Sequence, residues 1–154
     1  MKKHLSLWGI GPFYVGSIGI LTALFWKIKP RTKVPRVLKG LMAFGGVCAL
    51  ILGAVLWISA VRQDIRASIR ENRLETNGVY AWVRNPVYAA FMFAFWGLLL
   101  VTGNLFAVPA IPLYLFLMTF MLKRTEEKWL MELYGPVYRA YCQKVNRCLP
   151  FGRF

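Results

Sequence analysis

The chain has 154 residues, 58% of them hydrophobic, and its 20 lysines and arginines against six acids give a formal net charge of +14. Such a composition lies above the roughly 45–50% apolar content of soluble domains and points to a membrane, where positive charge suits anionic lipid headgroups better than nucleic acid. A single histidine, His4, and three cysteines, Cys48, Cys142 and Cys148, without metal or redox spacing leave no metal site to expect, and neither a nucleophile elbow nor a phosphate-cradling glycine loop is present.

Residues 5–26 and 41–61 contain no Asp, Glu, Lys, Arg or His. Each reaches the roughly 20 residues an α-helix needs to cross about 30 Å of hydrocarbon. The first stretch follows a basic start as a secretory signal does, but it is long and ends in Trp26-Lys27 rather than small residues, so a retained helix is expected. After the second, Val61, Ile65 and Ile69 form an apolar stripe beside Arg62, Arg66, Arg70 and Arg73. This predicts a helix continuing along the interface, its arginines meeting lipid phosphates or drawing in an anionic substrate.

Residues 86–122 are also free of charge and too long for one crossing. Gly103-Asn104 is the turn signal that divides them into 86–102 and 105–122, a tight hairpin whose second arm Pro109 and Pro112 should kink. Trp8, Trp26, Trp57 and Trp82 fall near predicted span ends, where amphipathic rings favour the headgroup layer, and Trp96 falls mid-span as packing. The expected fold is all-α: one integral membrane domain, 1–154, with four transmembrane helices, an interfacial connector helix and a C-terminal helix on the cytoplasmic face.

Four spans place both termini and the 62–85 connector on one side, with 14 basic residues and all six acids, and residues 27–40 on the other with six basic residues. The positive-inside rule then makes both termini cytoplasmic, although six basic residues are a heavy load for a translocated loop. The compact size suggests a prokaryotic inner or plasma membrane. Spans without an ionisable residue disfavour a small four-helix transporter and confine polar chemistry to one membrane face.

From Asn77 the chain reads Asn-Gly-Val-Tyr-Ala-Trp-Val-Arg-Asn-Pro-Val-Tyr, then the hairpin, then Arg-Thr-Glu-Glu, Leu-Tyr-Gly-Pro-Val-Tyr-Arg-Ala-Tyr and Val-Asn-Arg-Cys-Leu-Pro-Phe. In this order and spacing, residues 78–151 resemble the isoprenylcysteine carboxyl methyltransferase and phospholipid methyltransferase family. The resemblance implies S-adenosylmethionine as cofactor, membrane lipids as surroundings and a lipophilic methyl acceptor: a carboxylate, a thiol or a phospholipid amine.

Residue by residue, Tyr80, Val83, Arg84, Asn85, Pro86 and Tyr88 fall on the family's cofactor-binding segment, with Asn85 where many members have histidine. Glu126 and Glu127 fall on its paired acids, associated with holding the cofactor, and Tyr138 and Tyr141 on the tyrosines that follow, implied here as substrate contacts. Lys144 falls where the eukaryotic carboxyl methyltransferases have a functionally important arginine, and Arg147 where many bacterial members have one. With Arg84 they are the candidate catalytic residues. Asn146 replaces the usual proline. A catalytically silent scaffold of the same family is the alternative these departures leave open.

The residue types suit the chemistry. A carboxylate accepts from the cofactor's ammonium group, more strongly near a medium of low dielectric. Asn85-Pro86 also reads as an N-cap before a first-turn proline, opening a helix whose N–H groups face the site. Methyl transfer is an in-line displacement, so alignment, exclusion of water and electrostatic fit are the protein's tasks. A carboxylate or thiolate acceptor needs no strong base, in keeping with motifs that lack histidine; for an amine, Glu126, Glu127 or Tyr141 would serve. Arg147 or Lys144 neutralises an anionic acceptor, or else snorkels to the interface.

Overall fold

A computed structural model describes residues 11–28, 34–63, 65, 68 and 70–150. Among them are six α-helices: α1 Gly11–Lys27, α2 Arg36–Arg62, α3 Pro86–Val101, α4 Ala107–Arg124, α5 Glu126–Tyr134 and α6 Pro136–Lys144, with a 3-10 turn at Gly78–Ala81.

The packing of α2 on α3 organises the rest. Met42, Gly46, Ala49, Gly53, Leu56 and Ala60 recur at alternating intervals of four and three, which gathers them on one face of a helix, and all six are buried. The glycines bring the two backbones into contact. A Cβ on Gly46 would lie 2.8 Å from the Gly97 carbonyl oxygen, and one on Gly53 would lie 2.9 Å from that of Ala90. Lipid supplies no hydrophobic drive between helices, so association depends on close packing of this kind. The pairing is antiparallel, Gly46 meeting Gly97 and Val101 while Trp57 packs edge-on to Phe91 at 5.1 Å.

Helix α1 runs parallel to α3, with Gly11 against Tyr88 and Gly19 against Phe95. It runs antiparallel to α4: Phe25 stacks on Phe106 at 5.5 Å, Thr22 Oγ1 and the Tyr114 hydroxyl share a 2.6 Å hydrogen bond, and the Tyr14 hydroxyl donates to the Tyr114 carbonyl at 3.4 Å. Buried polar atoms thus find partners across helices. The hairpin turns where Gly103-Asn104 predicts. Gly103 takes φ +67°, and the Asn104 amide donates to the Phe25 carbonyl while accepting from the Phe106 N–H. Helix α4 continues through Pro112.

These directions bring the start of α1, the end of α2, the start of α3 and the end of α4 to one face, with α5 and α6 continuing there. Two helices, α2 and α4, are long and apolar enough to cross a membrane, and α3 is a shorter apolar helix. Much of their apolar surface points outward, Ile51, Val55 and Ile58 on α2 and Phe116 and Phe120 on α4 all being exposed. Such an exterior marks a membrane protein.

Some boundaries differ from expectation. Helix α2 starts a turn early and takes in Arg36 and Lys39. Residues 5–10 of the first predicted span lie outside the described residues, as do His4 and Trp8. The connector does not continue α2 unbroken: the helix stops at Arg62 and Gln63 is extended, at φ −82° and ψ 97°. The Gln63 amide is used elsewhere, donating to the Asn77 carbonyl at 2.8 Å and accepting from the Val79 N–H at 3.0 Å. Ser68 and Arg70 are helical, whereas Arg66 and Ile69 of the predicted stripes, with Asp64 and Ala67, lie outside the described residues.

Candidate functional site

At the face where the helix ends gather, two segments far apart in sequence join by backbone. Val83 and Asn146 form a parallel bridge, the Arg84 N–H donates to the Asn146 carbonyl at 2.9 Å, and the Asn85 N–H donates to that of Arg147 at 3.1 Å. Asn85 stands at the N-cap of α3 but makes no side-chain cap. Its amide donates to the Arg147 carbonyl at 3.3 Å, so the expected capping role is replaced by a tie to the C-terminal segment. Pro86 opens the helix as expected.

This junction carries a largely buried ion cluster. Glu127 receives Arg147 Nε at 2.7 Å and Nη2 at 2.9 Å, with Arg84 Nη1 at 3.1 Å. Arg147 Nη1 also reaches Thr119 Oγ1 at 3.3 Å. Burial opposes the Arg147 charge, but the hydrogen bonds and field of Glu127 outweigh it and raise its pKa. The two-pronged geometry fixes both partners, as guanidinium–carboxylate pairs do.

Beside the cluster lies a cavity of about 730 Å³, within the range of small-molecule sites. Gly11, Pro12, Val15, Trp57, Ala60 and Phe91 supply apolar wall from α1, α2 and α3. Tyr80, Arg84, Tyr88, Glu126, Tyr138 and Tyr141 supply polar wall. The Tyr88 hydroxyl donates to the Glu126 carboxylate, and that of Tyr141 donates to the Tyr80 carbonyl. Arg84 Nη1 also approaches Cys142 Sγ, while Arg84 Nε is buried without a hydrogen-bond partner among the described residues. Burial pushes the Tyr80 phenol up to about 12, and raises Tyr138 and Tyr141 as well. These phenols are neutral hydrogen-bonding groups at physiological pH.

The sequence profile described as phospholipid methyltransferase matches residues 39–137. The chain belongs to the phospholipid methyltransferase family. Methanethiol S-methyltransferase 1 of Bradyrhizobium diazoefficiens is 34% identical over 82 residues, covering 53% of this chain and 27% of that protein. Protein-S-isoprenylcysteine O-methyltransferase of Tribolium castaneum is 30% identical over 116 residues, covering 69% and 41%. Methanethiol S-methyltransferase of Mycobacterium tuberculosis is 35% identical over 75 residues, covering 47% and 29%. The chain thus spans between about a quarter and a half of the length of these relatives. No solved structure matches it.

The family match takes in α2 to α5 and the first residues of α6. Helix α1 and the segment with Asn146 and Arg147 lie outside it, yet α1 contributes cavity wall and the segment buttresses Arg84. Of the residues singled out by the family motifs, Tyr80, Arg84, Asn85, Pro86, Tyr88, Glu126, Tyr138 and Tyr141 line the cavity. Four do not. Val83 is fully buried in the core, Glu127 and Arg147 pair with each other behind Arg84, and Lys144 is exposed at the end of α6. In this structure Glu127 and Arg147 are engaged with each other and with Arg84 instead of lining the cavity. Sequence reasoning missed Ser68, Glu75 and Trp129 in the wall.

Proposed function

We propose that the chain is an S-adenosylmethionine-dependent methyltransferase acting on a lipophilic acceptor, with α1 to α4 spanning the bilayer and the cavity at its cytoplasmic face. The observation that carries this reading is a cavity wall that presents Arg84 and Glu126 together. A cation and a carboxylate on one wall suit a zwitterionic amino-acid end. When bound, S-adenosylmethionine supplies an electrophilic sulfonium methyl group.

The chain's own residues do the rest. Arg84 donates to the carboxylate of the donor's amino-acid end and Glu126 accepts from its ammonium, while the Glu127–Arg147 pair holds Arg84 in place. Trp57, Phe91 and Val15 give the acceptor's lipophilic part an apolar path and keep water from the reacting atoms. An acidic thiol or a carboxylate is favoured over an amine as acceptor. Tyr80, Tyr138 and Tyr141 are held neutral, so the groups in the described wall that could take a proton from an ammonium acceptor are the weakly basic carboxylates Glu75 and Glu126, with no histidine or lysine beside them. The relatives' names point the same way, one to a sulfur acceptor and the other to an oxygen acceptor.

Purified protein in lipid nanodiscs, given methyl-labelled S-adenosylmethionine, should label a long-chain thiol or an S-prenylated cysteine in preference to phosphatidylethanolamine. Absence of transfer to all three would overturn the reading.

A further inference from the structure

The cavity holds a carboxylate that no family motif covers. Glu75 lies on the connector between α2 and the 3-10 turn, and lines the cavity together with Ser68. One of its oxygens accepts from Ser68 Oγ at 2.6 Å and the other from the Asn77 N–H at 3.1 Å. The segment is itself fastened, since Gln63 bonds both the Asn77 carbonyl and the Val79 N–H. Gly78, at φ +58°, makes that closure possible. A Cβ there would come within 2.3 Å of Gln63 Oε1, and its backbone conformation is one that side chains disfavour.

Glu75 is thus fixed and charged. The Ser68 hydrogen bond, helped by the Asn77 N–H and Arg73, keeps its carboxyl below the usual range against a smaller effect of burial. Both Glu75 and Glu126 act electrostatically on Tyr80, and Glu75 also acts on Tyr141, so it belongs to the same polar wall. An ionised carboxylate has about four acceptor positions, and among the described residues Ser68 and the Asn77 and Thr76 N–H groups bond to this one. These bonds hold the carboxylate in a fixed orientation, which suits hydroxyls fixed on a sugar ring better than a single freely turning ammonium group. With the amino-acid end of the methyl donor on Arg84 and Glu126, the donor's remaining polar part is adenosine, whose ribose presents a vicinal diol.

We propose that Glu75 accepts hydrogen bonds from the ribose hydroxyls of the methyl donor, a placement that rests on the S-adenosylmethionine reading of the cavity. It makes the connector, outside the recognised motifs, part of the donor site.

Calorimetric titration of the full chain in nanodiscs with S-adenosylhomocysteine and its ribose-dideoxy analogue tests this. Wild type should bind the dideoxy compound roughly tenfold or more weakly, in line with loss of charge-assisted hydrogen bonds. Glu75→Ala should lose affinity for S-adenosylhomocysteine by a similar factor and cease to distinguish the two compounds. Ser68→Ala, which keeps the carboxylate but frees it, should show a smaller loss confined to S-adenosylhomocysteine. Equal binding of both compounds by wild type, or equal weakening of both by Glu75→Ala, would overturn the assignment while leaving the methyltransferase reading intact. Wild type that binds neither would overturn both.

Discussion

Arg147 grips Glu127 with two nitrogens, Nε at 2.7 Å and Nη2 at 2.9 Å, while Arg84 reaches the same carboxylate from the cavity side. The side chains of Glu127 and Arg147 are only 14% and 16% exposed. Removing one partner of so buried a pair costs about 3–5 kcal/mol, because the other charge is left uncompensated. Arg147→Ala should therefore lower unfolding stability in detergent by an amount of that order, moderated by the remaining Arg84. Arg147→Lys, which keeps the charge but not the fork, should lose less. An Arg147→Ala protein as stable as wild type would contradict the buttressing role.

Helix packing gives a second expectation. Gly97→Ala places a Cβ 2.8 Å from the Gly46 carbonyl and 2.9 Å from Leu50 Cγ, whereas a Cβ at Gly45 meets nothing within 4 Å. Overpacking of this kind typically costs about 1–3 kcal/mol, while a glycine replaced in an open helical position gains a few tenths to about 1 kcal/mol. Thermal unfolding should fall for Gly97→Ala and hold or rise for Gly45→Ala.

Cys148 supplies a pH test. It is 2% exposed, and burial pushes its thiol up to about 12 against the lowering fields of Arg147 and Arg84. The folded thiol stays protonated where an unfolded one has ionised. Its contribution to stability is thus complete below the ordinary thiol range, near 9, and is lost as pH rises from there towards 12. At pH 8 iodoacetamide should leave Cys148 unmodified in the native protein and label it after denaturation, read by peptide mass.

The Tyr88–Glu126 contact should make the proposed donor site sensitive to a single hydroxyl. Tyr88→Phe keeps the ring, which packs edge-on to Tyr14 at 5.6 Å, but removes the hydrogen bond that orients Glu126. S-adenosylhomocysteine should bind about tenfold more weakly, equivalent to about 1.4 kcal/mol. Competition binding at a temperature where both proteins are folded checks this.

Much of this was legible in the sequence because it follows from period or from covalent identity. Charge-free runs located α2, α3 and α4, Gly103-Asn104 located the hairpin, and the motif residues from Tyr80 to Tyr141 contain most of the polar wall. What escaped depended on direction and on irregular backbone. Adjacent residues on a helix point about 100° apart, and the structure sends Glu126 to the cavity and Glu127 to Arg147. Gln63, Ser68 and Glu75 act through side-chain bonds to a non-periodic segment, which leaves no spacing to read. Asn85 was identifiable as a helix start, but a cap and a tie to residue 147 look alike until the tail is placed.

Titration of S-adenosylhomocysteine into purified wild type and Glu126→Gln, with unfolding temperatures measured in parallel, tests the central claim most directly. Wild type should show saturable one-to-one binding, and Glu126→Gln at least a tenfold loss without a matching loss of stability. No saturable binding by wild type, or equal affinity in the two folded proteins, would contradict that claim.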